Sequence, residues 1–86
     1  MLTLEKGKHV FIRTVTFHYT GRVIDEDDDS VELGDAAWIA DSGRFSDALT
    51  SGKLNEIEPY PNGVMISKGA IVDVCEWAHE LPTVQK

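Results

Sequence analysis

From His9 to Asp35 the chain reads HVFIRTVTFHYTGRVIDEDDDSVELGD, and apolar positions alternate with polar ones at the period of an extended strand. Val10, Ile12 and Thr14 share one parity, whereas Phe17, Tyr19, Gly21 and Val23 share the other. A change of parity requires a bulge or a tight turn near Thr14-Val15-Thr16, so two antiparallel strands are predicted, at 9–14 and 17–25. Gly21 inside the second marks a bend or bulge, because an unsubstituted Cα lets a strand curl. The run Asp25-Glu26-Asp27-Asp28-Asp29-Ser30 serves as the next turn. Val31, Leu33 and Asp35 then resume the alternation, and Ala36 to Ala40 prolong this third strand until Asp41-Ser42-Gly43 breaks it.

Beyond that break the period changes. Phe45, Ala48 and Leu49 fall on one face of a short helix within 42–51, with Asp41 or Ser42 as candidate N-cap and Gly52 placed to end it in the left-handed conformation. Residues 53–60 alternate weakly, as an irregular strand would. Tyr60-Pro61-Asn62-Gly63 is a turn signal. Val64 to Ser67 and Ile71 to Trp77 form two further strands about Lys68-Gly69-Ala70, and their near-continuous apolar character implies burial on both faces, or burial on one and an interface on the other. Met1 to Leu4 is a lead-in, Pro82 ends the fold, and Thr83 to Lys86 are expected to fray.

Eighty-six residues make one domain, 1–86 with its core at about 7–82, which buries only about 60–65% of its unfolded surface. A core that small leaves room for partners to contribute. The net charge of −7 opposes sequence-independent attraction to phosphates. A single cysteine, Cys75, has no internal disulfide partner, and no apolar run approaches a membrane span. The N-terminus has no signal-like apolar region, so a cytoplasmic protein is expected.

No cluster specifies a reaction. Asp25, Asp27 and Asp29 have the spacing of the first calcium-loop ligands, but Ser30 stands where the loop needs glycine and Ala36 where it needs the bidentate glutamate. A solvated turn is the plainer account. His9, His18 and His79 lack metal-like spacing with one another or with Cys75, which reads as a packed thiol. There is no phosphate loop. The sequence therefore predicts no enzyme, no cofactor and no metal.

The predicted strands, with a sharply bent second one and a last one after a compact turn, resemble the five-stranded, strongly bent antiparallel small barrel of Sm-like proteins. Here a short helix is inserted between strands 3 and 4. Val10 to Val23, with Gly21, resembles the first Sm motif, and Ile66-Ser67-Lys68-Gly69-Ala70-Ile71 resembles the second. The words FIRTVTFHYTGRV, AAWIADSGRFSDAL, NEIEPY and AIVDVCEW are also similar to a family of small phage proteins of unassigned function that carry this fold. Three departures stand out. The first hairpin has Arg13-Thr14-Val15-Thr16 in place of Asp-Gly or Asn-Gly, the loop that supplies an RNA-stacking residue is here acidic, and the helix is inserted instead of leading the chain. A uridine pocket of the Sm kind does not follow.

The resemblance implies a homo-oligomeric ring of roughly five to seven subunits, and open sheet edges give an independent reason for one. Val64, Ile66, Val72 and Val74 are the candidate interface. The resemblance also implies binding of RNA, single-stranded DNA or a nucleotide, in phage nucleic-acid processing inside the host cytoplasm. Arg13, Arg22, Trp38, Arg44 and Lys68 are the candidate contacts, through phosphate pairing and base stacking. Two plainer assignments compete with it: Trp38 and Phe45 pin the inserted helix to the barrel, and Arg13, Arg22 and Lys68 pair with acids of a neighbouring subunit. The alternative functions are an adaptor ring that holds protein partners, or a ring that sequesters a small nucleotide signal.

Overall fold

The computed structural model describes residues 4–86, so the expected lead-in lies outside the described residues except for Leu4. The chain is mainly β. Strands β1 (His9–Thr14), β2 (His18–Glu26) and β3 (Ser30–Asp41) form a meander, and helix α1 (Phe45–Ser51) follows. After it come β4 (Glu56–Pro59), β5 (Val64–Ser67), a 3-10 turn (Lys68–Ala70) and β6 (Ile71–Glu76). All pairings are antiparallel, in the order β4-β3-β2-β1-β6, with β5 also on β3. The sheet therefore has six strands instead of five. Long β3 carries two strands on its outer edge, with β5 beside Ser30 to Leu33 and β4 beside Ala37 to Asp41. No ladder joins β5 to β6 among the described residues, so the sheet is open.

The parity change is made by a threonine. Thr14 Oγ1 accepts from the Phe17 N–H at 3.0 Å and donates to the Phe17 carbonyl at 2.7 Å, closing the β1–β2 turn without the usual Asn-Gly. The bend at Gly21 is also present. Thr20 pairs with Ala37 and Arg22 with Gly34, so Asp35 and Ala36 together face Gly21 in a bulge. Asp35 takes the positive φ of 45° that such a bulge demands, and it shifts the phase of β3 by one residue. Val31 and Leu33 before it, and Ala36 after it, consequently point into the same core.

That phase shift lets one sheet cover two cores. Val10, Ile12, Val23, Val31, Leu33, Ala36 and Ile66 fill the concave side, with Leu4, Tyr19 and Tyr60 at its margin. Phe11, Ala37, Ile39, Ala48, Leu54, Ile57 and Trp77 fill the other, between the sheet and α1. Strand β1 is buried on both faces, which is why Val10, Phe11 and Ile12 are all inaccessible to solvent.

Three expectations need correction. Helix α1 starts three residues late, and neither Asp41 nor Ser42 caps it: Asp41 Oδ1 instead accepts from Gly43 N at 2.8 Å, closing a turn before the helix begins. Its C-terminus is as expected, with Gly52 at φ 75° and its N–H bonded to the Ala48 carbonyl. The last residues do not fray. Lys86 exchanges both backbone hydrogen bonds with Ile57 at 3.0 Å, because Trp77 and Leu81 pack on the second core and lead the tail back to β4. Finally, of the two alternatives for β5 and β6, burial on both faces does not hold, which leaves one face open. Only Ile66 of the two is fully buried, and Met65 and Val72 are 67% and 61% exposed.

Candidate interaction surfaces

Three of the four proposed cationic contacts, Arg13, Arg22 and Lys68, are held by carboxylates of the same chain. Arg13 Nε donates to Asp73 Oδ1 at 2.8 Å while its terminal nitrogen donates to Oδ2, and its guanidinium carbon lies 5.0 Å from the centroid of Phe45. Arg22 donates to Asp35 at 3.2 Å, and Lys68 donates to Glu26. These pairs are partly exposed and add little to stability, but they cancel the charge a phosphate would meet. The acids expected on a neighbouring subunit are thus present within the chain itself. Arg44 is exposed beside α1 and shares a hollow of about 170 Å3 with Lys53, Asn55 and Asp47.

The aromatics divide differently from expectation. Phe45 does pin α1, with its ring edge against Phe11 at a centroid distance of 5.8 Å. Trp38 does not. Its side chain lies on the opposite face of the sheet, half-buried and edge to face with Phe17 at 5.4 Å. Trp77 takes the pinning role: it is 3% exposed, lies 5.6 Å from Phe11, and donates from Nε1 to the Glu80 carbonyl. His79 Nε2 bonds the Leu49 carbonyl at 2.7 Å and so ties the tail to the end of the helix. Phe17, just before β2, completes an aromatic run with Trp38 of β3, Tyr19 of β2 and Tyr60, just after β4. Phe17 and Tyr19 share one parity, which puts them on the same side of an extended chain.

The candidate interface residues also separate. Ile66 lies in the first core, and Val64 and Val74 pack against it. Val72 alone faces outward, because Arg13 pairs with Asp73 and Thr14 with Ile71, which leaves Val72 as the extra residue of a bulge. Cys75 is half-buried, and burial pushes its thiol up from the ordinary value, which is the character of a packing residue.

The acidic turn is built around one carboxylate. Asp27 Oδ1 accepts from the N–H groups of Asp29 and Ser30, both at 2.8 Å, and these bonds hold it below the ordinary 3.8. The hydrogen bond from Arg13 likewise depresses Asp73. Both groups take up protons less readily folded than unfolded, so their contribution is complete above the unfolded value and lost as pH falls through the lower, folded one. The thermal midpoint should therefore fall below about pH 4, and fall less in an Asp27→Asn variant. Melting curves from pH 7 to 3 check this, and a midpoint constant to pH 3 would refute it. Among the described residues no His, Cys, Asp or Glu side chains group as a metal site, and no helix is long and apolar enough to cross a membrane.

No protein-family profile, no curated protein and no solved structure matches this chain.

Proposed function

We propose that this chain is a non-enzymatic assembly module, a small barrel of the Sm-like kind that pairs with copies of itself into a ring and presents that ring to protein partners. The observation that carries the reading is the pair of free sheet edges. Among the described residues β4, β5 and β6 each have a single paired strand; Lys86 bonds β4 through Ile57, whereas β5 and β6 are left open, each with an exposed apolar residue, Met65 on β5 and Val72 on β6. Unpaired strand edges with apolar side chains are templates for another chain, and joining one edge to a different edge closes a ring when the rotation allows. The adaptor reading is favoured over nucleic acid because Arg13, Arg22 and Lys68 are neutralised within the chain, in a protein of net charge −7.

Light scattering on wild type, Val72→Asp and Met65→Lys tests the assembly. The wild type is expected at a discrete multiple of the chain mass, and both variants are expected to shift toward single chains while melting cooperatively. A wild type that runs as a monomer at high protein concentration would end this reading. Nucleic-acid binding keeps one observation in its favour, the hollow shared by Arg44 and Lys53, whose side chains form no ion pair among the described residues. Filter binding with single-stranded RNA and DNA, abolished by Arg44→Ala, would establish that reading instead.

A further inference from the structure

The face of the sheet that carries Trp38 has an apolar corner ringed by acids. Phe17 and Trp38 meet with their planes at 81° and line a hollow of about 310 Å3 together with His18 and Asp41. Phe17 is 46% exposed. The register of β3 with β4 places Glu58 opposite Trp38, and Glu56 opposite Asp41. All three carboxylate residues are exposed, and none forms an ion pair among the described residues. Glu58 accepts only a long bond from Gln85 at 3.4 Å, and Asp41 accepts from the Gly43 N–H. No lysine or arginine lines the hollow.

This combination selects its occupant by elimination. A purely apolar partner would strip water from these carboxylates and give them nothing in return, which is costly. A nucleic acid could stack on Trp38 but would bring its phosphates against the same acids. A guanidinium meets both demands, because its flat face stacks on an aromatic ring while its fork of N–H donors reaches a carboxylate. The chain already uses that chemistry once, where Arg13 lies over Phe45 and pairs with Asp73. A net charge of −7 also draws basic segments from a distance.

We propose that the corner formed by Phe17 and Trp38, with Asp41 and Glu58, is a docking site for an arginine side chain of a basic, extended segment in a partner protein. The site uses strands β2, β3 and β4, leaving the free edges of β5 and β6 to assembly, so it stands whether or not the ring forms.

The probe is a fluorescently labelled penta-arginine peptide, with binding read by anisotropy near 0.15 M salt, where diffuse surface attraction is screened beyond about 8 Å. Trp38→Ala, and Asp41→Asn combined with Glu58→Gln, are each expected to weaken binding about tenfold or more, and Trp38→Phe to retain most of it. Asp28→Asn combined with Asp29→Asn removes the same charge at the distant turn and is expected to leave binding unchanged. A second readout needs no variant. Trp77 is buried and Trp38 is not, so peptide should change the tryptophan emission of the wild type. No binding, unchanged emission at saturation, equal losses from the turn variant, or tighter binding of a single-stranded RNA at this corner would each overturn the proposal.

Discussion

Replacing Phe11 with alanine should cost about 3–5 kcal/mol of folding stability, a large share of the total a small domain has. Phe11 is fully buried in the centre of β1, and its ring meets Trp77 at 5.6 Å, His18 at 5.7 Å and Phe45 at 5.8 Å. The helix, the tail and the sheet converge on it. The surroundings cannot close over the void, because Ala37 and Ala48 are too short to reach it and the tail is held by the backbone bonds between Lys86 and Ile57. Urea unfolding of Phe11→Ala beside Phe11→Leu measures the effect. A loss below about 1 kcal/mol would mean that the second core is dispensable.

Gly21→Val should cost about 3 kcal/mol, by overfilling instead of emptying. A Cβ at position 21 would lie 2.8 Å from Leu33 Cβ and 3.3 Å from the Gly34 carbonyl oxygen. Both are parts of β3 that the bulge presses against β2, and Leu33 is itself fully buried. No rotamer of Leu33 relieves a contact to its own Cβ, so the strand must move. The expected signature is a lowered melting midpoint in Gly21→Ala, lowered further in Gly21→Val. Equal stability of Gly21→Val and wild type would show that the bend at this position does not depend on close approach.

The first three strands were legible because their alternation is strong and Gly21 and Thr14 mark where it breaks. What hid the rest was local conformation that composition does not reveal. Asp35 adopts a positive φ usually left to glycine, and nothing in SVELGDAAWIAD signals that β3 changes phase there. Without that shift, Trp38 was assigned to the helix side, where Trp77 is found. The irregular stretch at 53–60 became a full strand because β3 is long enough to pair β4 beyond the end of β5. The tail was expected to fray because its polar residues give no hint of the backbone bonds to Ile57.

The candidate site was less legible than the fold. Arginine and lysine were chosen by type, yet their fate depends on pairings such as Arg13 with Asp73, 60 residues apart, and Lys68 with Glu26, 42 apart. Periodicity is blind to such distances. Val72 and Val74 belong to one near-continuous apolar run, and only the one-residue bulge against β1 decides that Val72 points outward while Val74 packs inward. Phe17 shows the converse: its parity was read correctly, and its pairing with Trp38 followed from a register the sequence does not state.

The claim on which the functional account rests is that the free edges of β5 and β6 join one copy of the chain to the next. Native mass spectrometry of the purified protein, without nuclease treatment, tests it most directly. The account predicts a single closed multiple of the chain mass with no added nucleotide mass. A clean monomer would contradict the assembly, and a ring that carries nucleotide mass would contradict the adaptor role while leaving the ring in place.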